Sequence, residues 1–214
     1  MTYVKICGIT QLEHARQALA AGADFLGFVF YRPSRRFVDP LLAGEIIARC
    51  RAEAAVDRRW LAVGVFVDEL VADANTVLET AGLDLAQLCG DEDADYCRAL
   101  SRPAVRVVRV PPDGAVTRPL RADMLGASRL LLDTQVGGHF GGTGETYPWQ
   151  AVRHVAEECF LAGGLTPANV GAAITAAAPW GVDVSSGVER DGVKDATLIR
   201  EFIEEVRRID AATA

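Results

Sequence analysis

Eight short apolar runs, spaced about one helix and two loops apart and separated by helix start and stop signals, predict a closed (β/α)8 barrel. The runs are Val4–Cys7, Phe25–Phe30, Leu61–Val67, Leu83–Leu88, Val105–Val110, Leu130–Asp133, Cys159–Ala162 and Val182–Ser185. They have the length of strands, and many are rich in β-branched residues. Their starts lie roughly 21 to 36 residues apart, too far for hairpins and enough for a helical crossover. A doubly wound open sheet is the structural rival, usually with fewer strands for this length. No Pro/Ser-rich linker or low-complexity tract divides the chain, so residues 1–214 read as a single barrel domain near the lower size limit of the class.

The connections justify the helices in turn. Thr10 and Glu13 have capping-box spacing ahead of an Ala/Leu-rich segment, and Gly22 stands where a left-handed helix stop belongs. Asp39-Pro40 reads as an N-cap and first helical residue, and Thr166-Pro167 repeats the device before Ala168–Ala178. Asp68, Asp91 and Lys194-Asp195 precede further amphipathic segments, the last being LIREFIEEVRRI. The fifth connection carries Pro103, Pro111, Pro112 and Pro119, which predicts a short or displaced helix.

Composition narrows the function. Of 214 residues, 50% are hydrophobic and 24% charged, and the formal net charge is -7, which leaves no basic excess for nucleic acid or an anionic membrane. Five cysteines, an odd number without a C-x-x-C pair, fit reduced thiols in a cytoplasm better than a disulfide framework or a zinc site. The chain enters its first apolar run by Tyr3 without a basic leader, and no uncharged stretch approaches the ~18 apolar residues of a membrane span. The expected partner is a small molecule, with no metal and no dinucleotide cofactor. Monomer and homodimer both stay open.

In a barrel of this kind, active-site groups come from the C-terminal ends of the strands. Polar residues collect there: Cys7-Gly8, Pro33-Ser34-Arg35-Arg36, Gln87 to Glu92, Asp133-Thr134, Asp183 and Ser185-Ser186-Gly187. Strand alternation puts Lys5 on the face of Cys7 and Leu131 on the face of Asp133. A thiol facing the barrel mouth therefore has Lys5 in the core beneath it. Glycines gather on the later loops, at Gly137, Gly138, Gly141, Gly142 and Gly144, at Gly163-Gly164, and at Gly187. They let backbone N–H groups approach an anion, and a phosphorylated substrate follows.

The ordered set VKICGIT, GFVF with PSRRFV, VGVFVD, QLCGDE, LLLDT…GGTG, LAGGLTPANV and GVDVSSGVE…GVKD runs from Val4 to Asp195. It resembles the phosphoribosylanthranilate isomerases of tryptophan biosynthesis. The resemblance implies a cofactor-free Amadori rearrangement with Cys7 as general base and Asp133 as general acid. It further implies Arg36 on the anthranilate carboxylate, Gly142, Gly164 and Gly187, with Ser186 beside it, in the phosphate loops, and Asp183 near the sugar hydroxyls or orienting a neighbour. Two positions depart from the family: Cys89 replaces a usual histidine among the substrate-binding residues, and Glu145 a usual lysine. Reference pKa values oppose the roles, since free Cys is mostly thiol and free Asp ionised at neutrality. Burial of Asp133 and positive charge near Cys7, with Lys5 the candidate, are the expected corrections.

Taken singly, Cys7 reads as a buried small hydrophobe and Asp133 as a turn residue. Arg35 reads as solvated, Cys50, Cys97 and Cys159 as packing residues, and His14 and His154 as surface residues; His139, in the glycine-rich loop, is a second-rank candidate. Two other functions compete: the related barrel isomerase of histidine biosynthesis, which Cys7 in place of aspartate disfavours, and a catalytically silent phosphosugar-binding module.

Overall fold

A computed structural model describes residues 1–53, 59–116, 120–134 and 146–213 of the chain. Eight strands, β1 (Tyr3–Cys7), β2 (Phe25–Val29), β3 (Leu61–Phe66), β4 (Leu85–Leu88), β5 (Ala104–Val110), β6 (Arg129–Thr134), β7 (Cys159–Leu161) and β8 (Gly181–Val184), form a closed barrel in sequence order. Every neighbouring pair is parallel, and β8 returns to β1 with Lys5 opposite Asp183. All eight predicted runs are strands, and the open-sheet alternative is excluded.

Alternation divides each strand between two cores. Outward residues such as Ile6, Phe28, Leu132 and Val182 pack against the helices in one continuous apolar layer. Each fully buried aliphatic or aromatic side chain there contributes roughly 1.5–3 kcal/mol. Inward residues stack in tiers. The floor is aromatic, with Phe160 edge-on to Phe25 at 5.2 Å and to Trp180 at 4.9 Å. Arg129 covers it from below, its guanidinium carbon 3.7 Å from the Trp180 ring centre. Val63, Val105, Val107 and Leu131 fill the middle, and Cys7, Val29 and Val65 form the upper tier with Cys89 against them.

The helices are α1 (Leu12–Ala21), α2 (Pro40–Glu53), α3 (Val71–Thr80), α4 (Ala94–Ala99), α5 (Arg153–Ala156), α6 (Val170–Ala177) and α7 (Ala196–Thr213). Gly22 stops α1 at φ 118°, its N–H donating to Ala18 O. Asp39 and Asp195 cap α2 and α7 by accepting from the amides of Leu41 and of Thr197 and Leu198. After β5 the described residues hold only a single 3₁₀ turn, Asp123–Leu125, as the prolines predicted. A short hairpin, β9 (Glu189–Arg190) with β10 (Val193–Lys194), follows β8.

Thr10, Thr166 and His14 depart from local expectation. Thr10 does not cap α1: the amides of Gly8 and Ile9 both donate to Gly27 O, and Gln11 becomes the N-cap, without a side-chain bond. Asp68 sits at φ 50° and spends its carboxylate on the Asp91 amide, leaving Leu70 before α3. Asp91 precedes α4 as expected, and Asp93 caps it by accepting from the Tyr96 amide. Thr166 is held by Asn169, whose Oδ1 accepts the Thr166 amide, so α6 begins at Val170. His14 is buried under the barrel rim rather than on the surface, while His154 is exposed. Cys50, Cys97 and Cys159 are buried packing residues as expected. Among the described residues no helix is long and apolar enough to cross a membrane.

Candidate active site

The C-terminal mouth of the barrel opens into a pocket that gathers Cys7, Arg36, Cys89, Asp133, Asp183, Gly164, Ser186 and Gly187. Every predicted site residue is there except Gly142, which, with His139 and Glu145, lies outside the described residues.

Glycines make the thiol's position possible. A Cβ on Gly27 would fall 2.8 Å from Cys7 Sγ, so the neighbouring strand leaves the space that Cys7 occupies. Gly8, at φ 83°, would meet Arg36 Cδ at 2.5 Å, so the residue after the thiol is bare because the Arg36 stem lies over it. The loops after β7 and β8 touch through backbone: a Cβ on Gly187 would overlap the Leu165 carbonyl. Gly163 and Gly164 take φ of 91° and 62°, and a 3₁₀ turn begins at Ser186.

Beneath Cys7, Lys5 is 1% exposed and donates to Asp183 Oδ1 at 2.8 Å. Asp183 holds Lys5 and also lines the pocket. Beside Cys7, Glu189 gathers three cations. Arg36 donates through Nε and Nη2 at 2.7 and 2.9 Å, Arg35 through Nη2 at 2.8 Å, and Lys194 through Nζ at 2.7 Å. Lys194 also donates to Ser185 O at 2.8 Å, and Ser185 Oγ to Cys7 O at 3.1 Å, tying the eighth loop to the end of β1. Burial works against the Glu189 charge, but Arg36 and Lys194 outweigh it and hold the carboxyl below its usual range. Leaving aside the exposed Arg35, three cations here face two carboxylates, a field suited to an anionic ligand.

Asp133, across the mouth, accepts from Arg109 Nη1 at 2.6 Å and from the Thr134 amide at 2.9 Å. Burial pushes its pKa up, Arg109 pulls it down and Asp183 pushes it up again, with a net rise. Desolvation thus acts on the acid as expected. For Cys7 it also wins: burial lifts the thiol, Lys5 and Lys194 draw it back only in part, and the net shift is upward. The expected lowering by Lys5 is present and insufficient.

Cys89, half-buried, has its thiol pushed up to about 12, chiefly by burial, and accepts from Gln87 Nε2 at 3.4 Å. It is neutral at physiological pH. Asp91 and Glu92, polar residues at the end of β4, do not face the pocket. The Asp91 amide donates to Asp68, and Glu92 accepts from the Asp68 amide and from Arg106 at 2.9 Å, which braces the third and fourth loops. Arg109 was the residue missing from the sequence reading, although its signal is plain. Val105, Val107 and Arg109 alternate on the inward face of VRVVRV, and the register sets Arg109 opposite Asp133. No group of three or more His, Cys, Asp or Glu among the described residues is placed to hold a metal ion.

A closed parallel barrel with a thiol and a carboxyl converging on its C-terminal mouth defines an enzyme of the TIM-barrel class. Residues 4–205 match the family model of N-(5′-phosphoribosyl)anthranilate (PRA) isomerase. The chain is 42% identical over 206 residues to the enzyme of that name from Hahella chejuensis, covering 95% of this chain and 93% of the relative. The crystal structure of the Thermotoga maritima phosphoribosyl anthranilate isomerase superposes with a TM-score of 0.81 at 34% identity, over 97% of this chain and all of that one. A family structure in complex with reduced 1-(o-carboxyphenylamino)-1-deoxyribulose 5-phosphate gives a TM-score of 0.76 at 31% identity, again covering 97% and 100%. The protein belongs to the N-(5′-phosphoribosyl)anthranilate isomerase family.

Proposed function

We propose that this enzyme converts N-(5′-phosphoribosyl)anthranilate into 1-(2-carboxyphenylamino)-1-deoxyribulose 5-phosphate, with Asp133 as general acid and Cys7 as general base. One observation supports the pair, namely that the two groups reach a single pocket from β1 and β6, with bare glycine backbone of the seventh and eighth loops on its rim, while the division into acid and base rests on the family resemblance.

The chemistry needs one proton given and one removed. Asp133 delivers its proton to the ribose ring oxygen, the C1′–O bond breaks, and the anthranilate nitrogen lone pair forms the iminium. The iminium acidifies C2′–H. Cys7 as thiolate takes that proton, the electron pair of the C–H bond forms C1′=C2′, and the iminium nitrogen becomes neutral. The resulting enolamine tautomerises to the ketone, with C1′ gaining a proton and the C2′ hydroxyl losing one. The active form holds the thiolate and the carboxylic acid together. In this reading Arg36, held by Glu189, engages the anthranilate carboxylate, and the amides around Gly164, Ser186 and Gly187 engage the phosphate.

Turnover followed by anthranilate fluorescence tests the reading. Cys7→Ser and Asp133→Asn should each lose about 10²–10⁴-fold in kcat while retaining affinity for product. Rescue of a tryptophan auxotroph lacking the isomerase should fail with Cys7→Ala. Tight product binding without turnover by the unaltered protein would instead favour the silent binding module.

A further inference from the structure

We propose that Arg109 is the positioning residue of the general acid, fixing the Asp133 carboxyl toward the sugar and governing when that carboxyl holds its proton. The proposal rests on the assignment of Asp133 as the acid.

Both carboxylate oxygens of Asp133 are engaged, Oδ2 by Arg109 Nη1 at 2.6 Å and Oδ1 by the Thr134 amide at 2.9 Å. Two contacts on different oxygens fix the plane of the carboxyl as well as its place. The pairing is built into the sheet, because Arg109 and Asp133 are register partners at the ends of β5 and β6. Arg109 itself lines the pocket, and its side chain is 25% exposed against 15% for Asp133. The ionisable groups that act on Asp133 come from several elements: Arg109 on β5, Cys89 after β4, Tyr147 beyond β6, and Asp183 on β8 with Lys5 of β1 bonded to it. Among the described residues, Arg109 is the cation bonded directly to Asp133. Burial favours the protonated carboxyl, and Arg109 favours the carboxylate that appears as the proton passes to the ring oxygen. The acid is thus set between two influences, burial that holds its proton and Arg109 that favours its release.

Three variants, Arg109→Met, Arg109→Lys and Asp133→Asn, and the Arg109→Met/Asp133→Asn double variant decide the matter through pH profiles of kcat and KM. The limb of the wild-type profile that Asp133→Asn abolishes is the one that reports Asp133. Arg109→Met should move that limb up by about one pH unit, since the carboxyl keeps its proton more firmly without its cation. The gain in protonated fraction is outweighed by lost aim, so kcat falls about tenfold or more while KM changes less than about threefold. Arg109→Lys should restore most of kcat and return the limb toward its original place. In the Asp133→Asn background, Arg109→Met should have no further effect. An unmoved limb with unchanged kcat in Arg109→Met overturns the proposal, as does an equal loss in the Asp133→Asn background. Full activity of Asp133→Asn alone would remove the acid assignment instead. Arg109→Gln carries the same readouts should the methionine variant fail to fold by circular dichroism.

Discussion

Lys5 and Asp183 meet across the seam of the barrel, Nζ to Oδ1 at 2.8 Å, one layer below the thiol. The lysine is almost wholly buried and its partner nearly so. Burial alone would strip the charge from Lys5, but Asp183 and Cys7 more than restore it, so the ammonium stays charged. Removing one member strands the other in a dry core. Lys5→Met or Asp183→Asn should each cost about 3–5 kcal/mol in urea unfolding, and Lys5→Met/Asp183→Asn much less than the sum.

The thiol's reactivity should follow its ionisation. Burial lifts the Cys7 pKa above its ordinary 9.0, and nearby lysines offset this only in part. Alkylation of Cys7 by iodoacetamide should be slow at neutrality and rise steeply only above about pH 9. Rapid alkylation at pH 7, read by mass spectrometry of the Cys7 peptide, would contradict this.

Glu189 aims Arg36, whereas Arg35 adds little. Glu189→Gln removes a carboxylate held by four donor contacts and frees the Arg36 fork. KM for the substrate should rise about tenfold or more, with a smaller change in kcat. Arg35 is 59% exposed, and Arg35→Ala should change stability by less than about 1 kcal/mol and leave KM near the original.

Cys89 sets a different balance from the histidine usual in the family. Its thiol, pushed up to about 12 by burial despite the Gln87 contact, carries no charge near neutrality. Cys89→His introduces a group able to donate, accept and titrate near pH 6.5. A several-fold rise in kcat/KM, accompanied by a new dependence on pH between about 5 and 8, is the expected result. An unchanged profile would show that the position does not touch the anthranilate ring.

Gly187 should tolerate no side chain. A methyl there overlaps the Leu165 carbonyl and forces the seventh and eighth loops apart. Gly187→Ala should raise KM and weaken competition by inorganic phosphate, both at least tenfold, while the far-UV circular dichroism is retained.

The barrel was legible because its strands repeat a simple period. β1 and β8 were bounded within a residue, and the shared face of Lys5 and Cys7 followed from alternation alone. Caps were readable where the side chain had no better partner, as at Asp39 and Asp195. They misled where a neighbouring side chain claimed the group, as with Thr166, whose amide donates to Asn169. Arg109 escaped notice because its meaning lies in register with another strand, which no local pattern reports. The upward shift of Cys7 was likewise hidden, since it depends on how completely the site excludes water.

The floor of the catalytic pocket joins residues 178 positions apart. The same seam is stitched outside by Thr2 to Asp210 and by Arg207 to Asp24. Competence therefore comes late in the emergence of the barrel, since β8 must leave the ribosome before β1 finds the mate that completes the ring. Until then the thiol stands without its foundation.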